Sequence, residues 1–181
     1  MAKFYSELTP KLQEFIAQQQ MFFIATAPGR EGRVNLSPKG IASLHCLDSN
    51  RVAYLDFGGS GNETAAHIAD NGRVTIMFCS FGPEPLILRL YGQGTVIQPH
   101  QAAWPELSAR FNPVEGARQI ILLEINSAQT SCGFGVPQYE FVGQRDDLLR
   151  WNKKQGPAKL AKYRREHNLV SIDGLPTGLC I

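Results

Sequence analysis

Two short segments carry residue types that could bind an anion. In Val34-Asn35-Leu36-Ser37-Pro38-Lys39-Gly40, an amide, a hydroxyl and an amine recur at every second position. On a strand, Asn35, Ser37 and Lys39 would share one face. Ser37 and Lys39 suit an anion, and Asn35 a polar chain or ring edge; a solvated edge strand and turn is the alternative. In Gly58-Gly59-Ser60-Gly61-Asn62-Glu63-Thr64, a glycine-rich turn leads from a strand into a short helix. The free N–H groups and positive dipole end of such a helix attract phosphate. Ser60, Asn62 and Thr64 add side-chain hydrogen bonds, whereas the Glu63 carboxylate opposes an anion unless it points away. The segment lacks the GK[ST] ending of a P-loop and does not read G-x-G-x-x-G. Ser60 with Glu63 also has the form of a capping box, so an ordinary capped helix is the alternative. Arg89, inside Leu86-Ile87-Leu88-Arg89-Leu90-Tyr91, needs a partner or a path to solvent in so apolar a strand. A phosphate or an acidic side chain would serve.

Other chemistry is thinly represented. Cys46, Cys79, Cys132 and Cys180 form no CxxC pair, and the four histidines are as scattered, so no metal site is expected. Cys132 sits in a glycine-flanked loop that suits a reactive thiol, but no histidine neighbours it in sequence. No Ser-His-Asp arrangement or paired carboxylates can be recognised. Residues 145–167 hold eight basic and three acidic side chains, while the whole chain carries only +2. Such a stretch could attract nucleic acid or an anionic ligand, or be a solvated helix face with Leu148, Leu149, Trp151 and Leu160 packed inward. The near-neutral total gives no reason to expect nucleic acid as the main partner.

These residues must be positioned by a small fold. At 181 residues, 43% of them hydrophobic, the chain suits one compact domain, or one domain with a small appendage. No apolar run approaches the ~20 residues of a membrane span, and the polar start Met-Ala-Lys-Phe-Tyr-Ser-Glu-Leu lacks the apolar core of a signal peptide. A cytoplasmic protein is expected. Residues 8–20 read as a helix capped by Thr9 with Pro10 in its first turn. Strands are expected over 21–27, 34–37, 51–57, 74–81, 86–97 and 118–125, with Gly92 and Gly94 marking a bulge or bend. Further helices are expected at 62–70, 101–111 and 145–167, the last broken at Gly156-Pro157. Six strands linked mostly by short turns favour an antiparallel barrel with peripheral helices over a doubly wound sheet.

Taken in order, these segments resemble the pyridoxamine 5′-phosphate oxidase-like family of FMN-binding split barrels. The resemblance rests on Phe22–Ala27, Gly32–Gly40, Val52–Phe57, Gly59–Thr64, Arg73–Cys79 and Leu88–Gly92. It covers about residues 20–125, and no single motif decides it. The tail, with Ser131–Pro137 and Ser171–Pro176, resembles a subgroup of poorly defined function.

The resemblance implies a mainly β, six-stranded antiparallel split barrel over residues 1–130, with residues 131–181 a helical extension packed on it. It also implies a homodimer holding FMN between subunits. Val34, Asn35, Leu36, Ser37 and Lys39 match the strand that contacts the ribityl and phosphate groups. Ser60, Gly61, Asn62, Glu63 and Thr64 match the second phosphate contact, and Arg89 matches an arginine beside the flavin. Enzymes that oxidise pyridoxamine phosphate carry Ser-Arg-Lys in place of Asn62-Glu63-Thr64 and glutamine in place of Ile87. The basic ending that clasps the substrate phosphate is not found here. The expected function is therefore flavin-mediated electron or hydride transfer with an unidentified small molecule, and not pyridoxamine phosphate oxidation. The alternative is a non-catalytic dimeric protein that binds flavin, haem or deazaflavin.

Overall fold

A computed structural model describes residues 2–41 and 43–181. A short strand β1 (Lys3–Tyr5) precedes helix α1 (Pro10–Gln18). The Thr9 hydroxyl caps α1 by accepting from the Leu12 N–H at 3.4 Å, and Pro10 occupies the first turn, as the sequence predicts. Strands β2 (Phe22–Thr26) and β3 (Asn35–Lys39) form a hairpin in which Thr26 faces Asn35 and Phe22 faces Lys39. Strands β4 (Leu44–Cys46) and β5 (Arg51–Phe57) follow, then α2 (Glu63–Asn71), closed by Gly72 in the left-handed region. After them come β6 (Arg73–Cys79), β7 (Ile87–Ile97), α3 (Trp104–Ser108), β8 (Ala117–Ser131) and α4 (Asp147–His167).

The strands make one antiparallel sheet in the order β3-β2-β6-β7-β8-β5-β4, with β1 also pairing β8. The sheet curls into an incompletely closed barrel. Lys39 on β3, at one end of the sheet, reaches Asp56 on β5, beside the other end, at 2.8 Å. The mainly β split architecture with peripheral helices agrees with the expectation, but among the described residues eight strands replace six. The additions, β1 and β4, have three residues each, too few to show an alternation.

Two other expectations shift. The helix expected over 101–111 is a single turn, Trp104–Ser108. Strand β8 runs to Ser131 instead of Ile125, because a bulge lets its polar half stay paired: Tyr91 faces Ser127 while Gly92 faces Ile125. A Cβ at Gly92 would run into the Glu124 carbonyl, so the bulge needs glycine there.

The barrel interior is filled by Ile24, Tyr54, Ile76, Leu88, Leu90 and Leu123. Leu12 and Ile16 from α1, and Ile68 from α2, pack into the same core, each contributing on the order of 2 kcal/mol. A second core of Ala53, Leu55, Ile97, Phe111 and Ile120 lies under α3, on the other face of β5 and β8.

Helix α4 breaks at Gly156 (φ 69°, ψ 169°), where the sequence predicts it. Leu160 is buried, but Trp151 lies at the surface against Tyr163 instead of packing inward. Lys153, Lys154, Lys159, Lys162 and Arg165 face solvent. The Asn152 amide donates to the Glu115 carbonyl at 3.2 Å, and Arg164 Nη2 donates to the Gly116 and Ala117 carbonyls at 3.0 and 3.1 Å. Among the described residues, no helix is long and apolar enough to cross a membrane.

Candidate functional site

The two segments singled out in the sequence form walls of one cleft of about 310 Å³. Asn35, Ser37 and Lys39 line it from β3, and Ser60, Gly61, Asn62, Glu63 and Thr64 line it from the approach to α2. Pro38, Asp56, Phe57, Gly59 and Arg118 complete the lining. The alternation of β3 turns Val34 and Leu36 away from the cleft to an exposed surface. Arg89 lies outside the cleft on β7. It faces Met77 and Gln129 across the sheet and donates from Nη1 to Ser131 Oγ at 3.2 Å.

A buried carboxylate anchors the cleft. Asp56 is 3% exposed; its Oδ1 accepts from Lys39 Nζ at 2.8 Å, and its Oδ2 from Arg118 Nη2 at 2.6 Å and Nε at 3.1 Å. Gln119 Nε2 donates to the same Oδ2 at 3.0 Å. Burial alone would raise the Asp56 pKa, but the charges and hydrogen bonds of Arg118 and Lys39 outweigh it and hold the carboxyl at about 2. Asp56 therefore stays ionised at neutral pH. Arg118 Nη1 also donates to the Gly61 carbonyl at 3.0 Å, tying the glycine-rich turn to β8. Sequence reading missed Asp56, Arg118 and Gln119. Their signal was an acid in one apolar strand and an arginine opening another, which cross-strand pairing alone could connect: Asp56 faces Gln119.

The start of α2 departs from the predicted capping box. Asn62 is the N-cap residue, no side chain caps the first turn, and Ser60 takes no part. The Asn62 side chain is held elsewhere, accepting from Gln119 Nε2 at 2.8 Å and donating to the Asn168 carbonyl at 3.4 Å. Glu63 turns its carboxylate toward the C-terminal segment, where Oε2 accepts from the Ile172 N–H at 3.1 Å. That engagement answers part of its opposition to an anion. The first-turn N–H groups are thus left without a side-chain cap at the edge of the cleft.

The C-terminal segment braces this wall, again unanticipated. Asn168 Nδ2 donates to the Gly59 carbonyl at 2.9 Å, and Thr177 Oγ1 donates to the Asn168 carbonyl at 2.7 Å. Arg33 and Asp173 form an ion pair that ties the β2–β3 hairpin to the same segment.

The sequence profile of the pyridoxamine 5′-phosphate oxidase family matches residues 8–132. The pyridoxamine 5′-phosphate oxidase family protein ustO of Aspergillus flavus is 35% identical over 195 residues, covering 97% of this chain and 78% of its own. HupZ of Group A Streptococcus superposes with a TM-score of 0.50 at 21% identity, over 65% of this chain and 89% of its own. A Lactobacillus delbrueckii protein provisionally described as a pyridoxamine 5′-phosphate oxidase gives 0.54 at 19% identity, over 68% and 94%. These two structures bear on the fold. The profile and the fungal relative lead to one assignment: the chain belongs to the pyridoxamine 5′-phosphate oxidase family.

Proposed function

We propose that the cleft holds the phosphate and ribityl end of FMN, and that the protein is an FMN-dependent oxidoreductase acting on a small molecule. The observation that carries this reading is the uncapped start of α2 set across the cleft from Lys39. The residues present fit the group. Gly59 leaves open space, Ser37 and Thr64 bring hydroxyls, and Lys39 and Arg118 balance the charges of Asp56 and Glu63, so the anion is met by the helix start and Lys39 and not by a net positive lining. Bound FMN supplies the electron chemistry; the chain places and orients it. Asp56 is ionised and held by two cations, so it is not a proton donor, and the reading needs no acid–base pair from the chain.

Asn62-Glu63-Thr64 and Ile87 stand where pyridoxamine phosphate oxidases carry other residues, which supports a different substrate. Substituting Glu63→Gln keeps an acceptor for Ile172 and removes a negative charge from the cleft. FMN affinity at low salt is expected to rise about threefold, and less at high salt, by fluorescence titration. Unchanged affinity at both salt concentrations would separate Glu63 from the anion.

The same reading includes a homodimer. Phe23, Met77 and Arg89 form one cross-strand row from β2 to β7, with Leu36 and Ala25 beside it, on the outer face of the sheet. A second copy seated there would cover exposed Leu36 and bring Arg89 to the subunit boundary, where the resemblance puts the flavin. Binding without turnover is the second reading. None of the four histidines lines the cleft, so haem would find no imidazole ligand within it. The spectrum of the purified protein separates flavin from haem. Anaerobic bleaching of the bound flavin by a reduced nicotinamide supports turnover; a failure to bleach with varied donors favours the binder.

A further inference from the structure

Behind the cleft, its two walls are joined by a polar chain ending on a buried histidine. Thr26 and Asn35 face each other across the β2–β3 hairpin, and Thr64 and His67 lie one turn apart on α2. Ser37 Oγ donates to Asn35 Oδ1 at 3.1 Å. This turns the Asn35 amide toward the threonines, where Nδ2 donates to Thr64 Oγ1 at 3.2 Å and to Thr26 Oγ1 at 3.5 Å. Thr26 Oγ1 in turn lies 2.9 Å from His67 Nδ1. His67 is 1% exposed, and its Nε2 is buried without a hydrogen-bond partner.

We propose that His67 is a positioning residue of the cleft: as the Nε2–H tautomer, it accepts the Thr26 hydroxyl proton at Nδ1 and so sets the spacing and donor directions of the Asn35 and Thr64 walls. The directions follow from the inventory. Thr26 Oγ1 accepts from Asn35 and could accept once more, but its own hydrogen has unprotonated Nδ1 as the acceptor in reach among the described residues; an Nδ1–H tautomer would leave that buried hydrogen without one. Thr64 Oγ1 likewise accepts from Asn35, and its own hydrogen is left to the buried Tyr54 oxygen or to a ligand's oxygens in the cleft. A buried Nε2–H without a partner costs on the order of 1–3 kcal/mol. A side chain serving packing alone would avoid that cost with an apolar residue; a residue needed for its Nδ1 cannot.

The proposal rests on the FMN reading of the cleft, so the test has one arm independent of it. In protein labelled with ¹⁵N at histidine, long-range ¹H–¹⁵N spectra at neutral pH are expected to show His67 protonated at Nε2 and bare at Nδ1. A proton on Nδ1 overturns the proposal. In the second arm, His67→Asn keeps an acceptor near the place of Nδ1, and His67→Leu removes it. FMN affinity is expected to fall about tenfold in His67→Leu and to stay within about threefold of the parent in His67→Asn, with both melting temperatures within a few degrees of the parent. Equal affinities in both variants, or losses that track melting temperature, overturn the proposal by reducing His67 to a packing role. If the unmodified protein takes up no FMN, the reading of the cleft fails, and the imidazole spectrum alone decides the relay.

Discussion

Replacing Asp56 with alanine is expected to destabilise the fold by about 3–5 kcal/mol, because it leaves the buried Arg118 guanidinium without its counter-charge. For a chain of this size, that is a fall in melting temperature of roughly 6–20 °C, measurable by calorimetry or circular dichroism. Lys39, with a quarter of its side chain exposed, can turn toward water, but Arg118 and Gln119 cannot. The carboxylate also closes the split in the sheet, since it joins β3 at one end to β8 near the other. Asp56→Asn keeps the shape and loses the charge; it should fall between the two proteins. The pH dependence has a definite sign. The Asp56 pKa in the folded protein, about 2, lies below its ordinary 3.8, so the group's stabilisation is complete above about pH 4 and is lost as pH falls through about 2. That contribution is about 2 kcal/mol. The stability gap between the parent and Asp56→Asn should therefore narrow between pH 4 and pH 2 in urea titrations. A gap that stays constant across that window would contradict the assigned pairing.

Lys39→Met should weaken FMN binding by about 10- to 100-fold, the range of one charge-assisted hydrogen bond lost from a partly buried site. Lys39 is the cation on the β3 wall of the cleft, with its Nζ 5.8 Å from the Tyr54 ring centroid, and methionine keeps an apolar stem of similar length while removing that charge. Asp56 keeps Arg118 and Gln119 in the variant, so stability should drop far less than affinity. Loss of affinity without a matching loss in melting temperature is the expected signature, read by fluorescence titration alongside thermal melts. Unaltered affinity would remove Lys39 from the anion's surroundings.

The legible parts of this protein were those coded by local spacing. Alternation showed Asn35, Ser37 and Lys39 sharing a face, and the glycines announced the turn into α2, so both walls of the cleft were visible in the sequence. What joins them was not. The Asp56–Arg118 pair spans 62 positions, and the Asn62–Asn168 bond 106, and neither has a local pattern. The capping box misled because Ser60 and Glu63 satisfy a motif whose geometry the chain does not use. Asn62 became the N-cap residue, with its amide drawn away by Gln119 and Asn168. The eight strands exceeded six because β1 and β4 depend on their partners β8 and β5, not on their own three residues. The polar half of β8 was hidden for the same reason: its pairing with β7 resumes after a bulge that only the Gly92 backbone permits.

In the proposed function, the start of α2 and Lys39 receive a flavin phosphate. The most direct measurement of this is a titration of flavin-free protein with FMN, followed by flavin fluorescence, and repeated with riboflavin, which lacks only the phosphate. Saturable binding of one FMN per chain is expected, with riboflavin at least about tenfold weaker. Equal affinity for the two, or no binding of FMN, would contradict that function.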